Sequence, residues 1–130
     1  MDRDGVVRWV GAYERAWRDD DVDAVAELFT DDATYLRSPY AEPIVGHAAI
    51  AAFWPEEPGT EFTMSASPIA IDGADVVVRV EVGYLRPRRQ EYRDLWVIRF
   101  APDGRAEWFE EWPFWPDRSY TAAAGTDESS

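Results

Sequence analysis

Asp94-Leu-Trp-Val-Ile-Arg-Phe-Ala-Pro-Asp-Gly-Arg-Ala-Glu-Trp-Phe-Glu-Glu-Trp112 decides the fold of this chain. Two apolar-rich runs flank the turn formers Ala101-Pro-Asp-Gly104, so the stretch reads as a β-hairpin. Successive strand residues face opposite sides of a sheet. With the turn at Ala101–Gly104, Phe100 pairs with Arg105, Asp94 with Glu111, and Trp96 with Phe109. Those last four share one face. Leu95, Val97, Trp108 and Trp112 share the other. Carboxylates threaded among large aromatics suggest a polar-tipped pocket rather than a plain core.

Working backwards, three strands precede the turn: Glu61 to Ile71, Val76 to Leu85 and Gln90 to Phe100. Asp72-Gly73 and Arg86-Pro-Arg-Arg89 connect them. After Pro102-Asp-Gly104 the last strand ends near Phe114. Upstream, Gly46 opens a helix over His47–Trp54 that is stopped by Pro55, Pro58 and Gly59. Ser38 to Pro43 is a loop, because its prolines forbid regular pairing. Ala33 to Arg37 is a short strand and Thr30-Asp31-Asp32 a turn. Val22, Val25, Ala26 and Phe29 mark a short second helix. Val6, Val10, Tyr13 and Trp17 recur at helical spacing and mark the first. Helices first and antiparallel strands second give an α+β fold. A curved antiparallel sheet packed on three N-terminal helices makes a cone with one mouth. Residues 1–116 form the single domain, and 117–130 a loose acidic tail.

The 130 residues suffice for one sizeable core, and 46% are hydrophobic. Aromatics reach 15%, with seven Trp, so flat rings dominate the interior or a pocket. The net charge of -13 argues against nucleic acid and anionic membranes as partners. No cysteine is present, so thiol-ligated metals and disulfides drop out. No long apolar run and no signal peptide is visible, so a cytoplasmic location is expected. No Gly-rich nucleotide motif, nucleophile elbow or His-Glu zinc helix occurs, and no cofactor or metal is expected.

Trp17, Leu28-Phe-Thr-Asp-Asp-Ala-Thr-Tyr35, Pro43-Ile-Val-Gly-His-Ala-Ala-Ile-Ala-Ala-Phe53, Asp94-Leu-Trp-Val-Ile-Arg-Phe100, Asp103-Gly-Arg105 and Glu111-Trp112 resemble the nuclear transport factor 2-like superfamily, and in particular its SnoaL-like group. The resemblance covers nearly the whole chain except the tail. It implies the cone and places the pocket on the face of Asp94 and Glu111. It is weak for function, because such folds host isomerases, cyclases, dehydratases, epoxide hydrolases and non-catalytic binders. Compared with the ketosteroid isomerases of this superfamily, Tyr13 falls at the oxyanion-hole tyrosine. Arg37 replaces the general-base aspartate and Trp96 the second oxyanion-hole acid. A guanidinium never deprotonates, so that route to isomerisation is closed.

Asp94 and Glu111 form the central candidate pair. Carboxylates directly opposite have Cβ atoms about 5 Å apart, and one tends to keep a proton. They serve as acid and base, or as a static network neutralised by a pocket Arg or Tyr. Arg37 either binds a ligand oxygen or pairs with those carboxylates. Tyr13 either donates to a ligand oxygen or belongs to the core. Trp17, Tyr35, Trp96 and Phe109, with Val78, Val80 and Val82, either line a site for a small hydrophobic or aromatic ligand or simply fill the cone. His47 reads as a first-turn residue with a catalytic role as the alternative. Leu95, Val97, Trp108 and Trp112 form an outer apolar patch, expected to make a homodimer. The leading expectation is cofactor-independent cyclisation, isomerisation or dehydration of an apolar oxygen-bearing substrate. A binding domain for a hydrophobic metabolite and an epoxide hydrolase are the alternatives.

Overall fold

The apolar spacing of the first segment forms one buried helix face. In the computed structural model, which describes residues 1–118, α1 (Arg3–Arg18) buries Val6, Trp9, Val10 and Tyr13. The Asp2 side chain caps it by accepting from the Gly5 amide. A 3-10 turn over Val22–Ala24 and the single turn α2 (Val25–Leu28) follow. The expected second helix is therefore cut short, because Phe29 already enters β1 (Phe29–Leu36). β2 (Ile44–Val45) and α3 (His47–Phe53) precede the long strands β3 (Glu61–Asp72), β4 (Asp75–Arg86), β5 (Gln90–Phe100) and β6 (Ala106–Phe114).

The sheet has the order β2-β1-β6-β5-β4-β3 and does not close. The α+β cone is as expected, with one refinement. β1 pairs β6 in parallel, so the sheet is mixed, while its other pairings are antiparallel. A parallel pair needs a long crossover, here the whole passage through α3 and β3–β5. The turn expected at Thr30–Asp32 lies inside β1. Its turn chemistry appears as a bulge instead: pairing jumps from Phe29↔Ala106 to Thr34↔Trp108, with Asp31 and Asp32 exposed. Arg37 lies just past the strand rather than on it. The tail expected over 117–130 falls outside the described residues except for Asp117 and Arg118.

The decisive hairpin has the expected facing with a different register. Phe100 pairs with Ala106, because the connection runs Ala101 to Arg105. A bulge then carries the pairing to Arg99↔Trp108. Each step adds one residue, so beyond the bulge the pairing slips by two and Trp108 to Trp112 keep their expected sides, whereas Ala106, with one residue added, turns inward opposite Phe100. Trp96, not Asp94, lies opposite Glu111, and Asp94 lies opposite Pro113.

The core sits between α1 and the concave face. Phe109 is fully buried and stacks on Tyr35 at 4.7 Å and on Tyr13 at 5.4 Å. Trp96 packs on Tyr13 at 4.6 Å. Each buried ring of this kind contributes roughly 1.5–3 kcal/mol. Val78 and Val80 are also fully buried against it. No helix among the described residues is long and apolar enough to cross a membrane.

Candidate active site

The concave face leaves a cavity of about 270 Å³ lined by Tyr13, Trp17, Tyr35, Arg37, Phe53, Trp54, Pro55, Glu56, Tyr84, Tyr92, Trp96 and Glu111. α1 supplies Tyr13 and Trp17, β1 supplies Tyr35, and β4–β6 supply Tyr84, Tyr92, Trp96 and Glu111. The segment after α3 brings Trp54 to Glu56 across. A larger depression, of about 560 Å³, opens on the outer side around Asp75, Arg99, Glu107 and Trp108. Asp75 and Arg99 already pair with each other there at 3.0 Å. The inner cavity is the better site, because the buried titratable groups converge on it.

Those groups form one connected network. The Tyr35 hydroxyl donates to Glu111 Oε2 at 2.7 Å. Tyr13 and Tyr35 hydroxyls lie 2.8 Å apart. Because the Tyr35 hydrogen goes to Glu111, Tyr13 is the donor in that second bond. Both phenols are raised well above their ordinary range, first by burial and then by the nearby Glu111 charge. They stay protonated and act as donors.

Asp94 sits behind this wall and is 3% exposed. Its Oδ2 accepts from Trp96 Nε1 at 3.1 Å, while no donor reaches its buried Oδ1. An unmet carboxylate oxygen in such a place is costly. A proton on Asp94 removes the charge and turns an acceptor into a donor. Burial is the largest cause pushing its carboxyl up, followed by the Glu111 charge and a hydrogen bond with Glu111. Burial and the unmet oxygen thus both favour the protonated form of Asp94, beside Glu111, which reaches the cavity.

Of the residues singled out in the sequence, Tyr13, Trp17, Tyr35, Arg37, Trp96 and Glu111 reach the cavity wall together. Asp94, Val80 and Phe109 lie buried behind it. The Arg37 guanidinium lies over the Phe53 ring at 5.8 Å. It forms no ion pair among the described residues, so it does not neutralise Asp94 or Glu111. His47 is remote from the cavity, and its Nε2 lies 2.7 Å from the Phe29 carbonyl oxygen. It ties α3 to the start of β1.

Glu56, Tyr84 and Tyr92 were not anticipated. Glu56 Oε2 accepts from both Trp17 Nε1 and Tyr84 hydroxyl at 2.8 Å, linking α1, β4 and the segment after α3. Trp54-Pro-Glu-Glu-Pro-Gly59 carries only a helix-stop signal, so its sequence does not point inward. Tyr84 and Tyr92 did carry a signal. They share the facing of Val82 and Asp94 in β4 and β5, and alternation alone places them at the pocket.

A model of the SnoaL-like domain matches residues 10–109. The chain belongs to the SnoaL-like domain family. This SnoaL-like protein also shares its fold with several solved structures. An LEH-like epoxide hydrolase from M. tuberculosis has a TM-score of 0.69 at 23% identity, with 86% of this chain and 84% of that chain covered. SalBIII is an epoxide hydrolase/cyclase-like enzyme of pyran ring formation in the polyether salinomycin. It has a TM-score of 0.67 at 24% identity, with 82% and 88% covered. An NTF2-like protein of unknown function from Mesorhizobium loti has a TM-score of 0.67 at 18% identity, with 88% and 95% covered. No curated protein matches the chain significantly.

Proposed function

We propose that this SnoaL-like protein is an enzyme that performs cofactor-independent acid–base chemistry on an apolar, oxygen-bearing small molecule. The observation that carries this reading is the buried Asp94 carboxyl, one oxygen of which has no partner, next to the Glu111 carboxyl in the wall of an aromatic cavity. Such a pair holds one proton between two carboxyls, with Asp94 as the buried holder and Glu111 at the cavity as the group that exchanges protons with a substrate. Glu111 is the member that touches the substrate. Asp94, behind the wall, keeps the pair at a single negative charge and holds Glu111 by a hydrogen bond. Tyr35, braced by Tyr13, orients Glu111. Trp17, Tyr35 and Trp96 contact the carbon skeleton, with Phe109 and Val80 packed behind them. Arg37 faces a substrate oxygen from the mouth.

Ring closure illustrates the balance. Glu111 takes the proton of a substrate hydroxyl, whose oxygen attacks an electrophilic carbon. The C–O bond at that carbon breaks, and the leaving oxygen receives the proton back from Glu111, which regains its charge. Substrate and product are isomers, and no co-reactant is consumed. With water as the nucleophile the same steps hydrolyse an epoxide. That second reading is favoured by the epoxide-hydrolase names of two structural neighbours. Turnover of a panel of apolar hydroxy-epoxides, epoxides and enolisable ketones, with product stereochemistry read by chromatography, separates the reactions. Tight binding without turnover of any of them replaces catalysis by sequestration of a hydrophobic metabolite.

The same proposal includes a cytoplasmic homodimer. On the convex face Trp108 and Trp112 remain 39% and 41% exposed, beside half-buried Leu95 and Val97. Both indoles donate to Glu110 between them, so the patch presents ring faces to a partner. Arg79 and Glu81 of β4 point the same way as Leu95 and pair across a two-fold axis. Trp108→Asp is expected to give a monomer in sedimentation. A wild type that is monomeric at about tens of micromolar, where interfaces of ordinary affinity are occupied, contradicts the dimer.

A further inference from the structure

Hydrogen-bond accounting around the cavity singles out one phenol. Tyr35 donates to Glu111, Tyr13 to Tyr35, and Tyr84 to Glu56. Tyr92 lines the same cavity, yet its hydroxyl has no hydrogen-bond partner among the described residues. Its ring is held from both sides, stacked on Tyr84 at 6.3 Å and on Trp115 at 5.3 Å. It shares the inward facing of Asp94, two residues further along β5. Tyr92 is half-buried on the cavity wall, so a ring held in place there, with no protein acceptor for its hydroxyl, leaves that hydrogen available to a ligand.

We infer that Tyr92 is the residue that binds the reacting oxygen of the substrate, by donating its hydroxyl hydrogen to a carbonyl, epoxide or developing alkoxide oxygen. This deepens the acid–base reading and rests on the cavity being its site. Tyr13 is less suited to that task, since its hydrogen is already committed to Tyr35. Donation costs Tyr92 no existing bond and no rearrangement, which is what makes a fixed donor effective as negative charge develops. Burial and the Glu111 charge also hold the Tyr92 phenol far above its ordinary range, so it remains a donor throughout the working pH range. The substrate class is thus an apolar body, small enough for about 270 Å³, with an acceptor oxygen at the end that reaches Tyr92 and Glu111.

The test uses 1-indanone and its hydrocarbon counterpart indane, which differ by the carbonyl. Binding is read by tryptophan fluorescence, and the bound carbonyl stretch by infrared difference spectroscopy with ¹³C-labelled ketone. In the wild type the carbonyl band is expected at lower wavenumber than in an apolar solvent. Tyr92→Phe should return the band toward the solvent position and weaken ketone binding about tenfold, the worth of one hydrogen bond in a cavity. Indane binding should be unchanged, and the thermal midpoint should not fall, because no protein bond is lost. Tyr13→Phe should leave the band in place. A shifted band that survives Tyr92→Phe overturns the assignment while leaving the acid–base site standing. Failure of both ketone and hydrocarbon to enter overturns the assignment and the cavity reading together.

Discussion

Asp94→Asn is expected to make the protein more stable, by an amount that grows with pH. The Asp94 carboxyl is raised from 3.8 to about 11 in the fold, first by burial and then by Glu111. In the unfolded chain it titrates at its ordinary value. Below that value both states hold the proton and the group has no effect. Above it the unfolded chain releases the proton and the folded protein keeps it, so folding stability falls as pH rises toward the folded value. The limiting slope is about 1.4 kcal/mol per pH unit. Between about pH 4 and about pH 7 the cost approaches 4 kcal/mol as an upper bound. Asparagine keeps the size, accepts from Trp96, donates toward Glu111 and does not titrate. Urea unfolding of both proteins at acid, neutral and alkaline pH should give curves that converge in acid and diverge above it. Parallel curves would show that Asp94 is ionised in the fold.

Glu111→Gln carries the largest expected effect on turnover. Glutamine fills the same space and still accepts from Tyr35, so the cavity should keep its shape and bind ligand within a few-fold. It cannot take a proton. On any substrate that the wild type converts, the rate should fall about a hundredfold or more, the usual scale for a positioned base. The loss should appear in kcat rather than in KM. Full turnover by the glutamine variant would remove Glu111 from the base role.

The succession of strands along the chain and their facing were legible in the sequence because both follow from periodicity and turn residues. Alternation grouped Asp94, Trp96, Phe109 and Glu111 on one face, and the family resemblance made it the pocket face, even though the register did not hold. One extra residue in the turn and one in the bulge cancel in parity, so the pocket face emerged from a pairing that was off by two. Neither insertion has a local sequence signature here. The parallel β1–β6 pairing was invisible for a different reason. It joins strands far apart in the chain, and no turn residue records a long-range pairing. Thr30-Asp31-Asp32 looks like a turn because its residues favour one, and the structure uses them in a bulge.

The candidate site was legible where it lies on strands and obscure where it lies on connections. Glu56 reaches the cavity only because Pro55 and the loop to Gly59 fold back toward Trp17 and Tyr84. Arg37 was assigned a strand position and stands just beyond one. The Tyr13–Tyr35–Glu111 chain depends on three elements meeting, so it appears only in the folded structure. It also changes what Tyr13 does, from a free donor to the brace of Tyr35.

The acid–base pair is tested most directly by its protonation. Side-chain ¹³C NMR of Asp94 and Glu111, followed between about pH 4 and about pH 12, reads both carboxyl groups without a substrate. The expected result is an Asp94 carboxyl carbon at its protonated position at neutral pH, moving to a lower titration midpoint in Glu111→Gln as the neighbouring charge is removed. An Asp94 carboxylate fully ionised at neutral pH in the wild type would contradict the shared proton and, with it, the acid–base site.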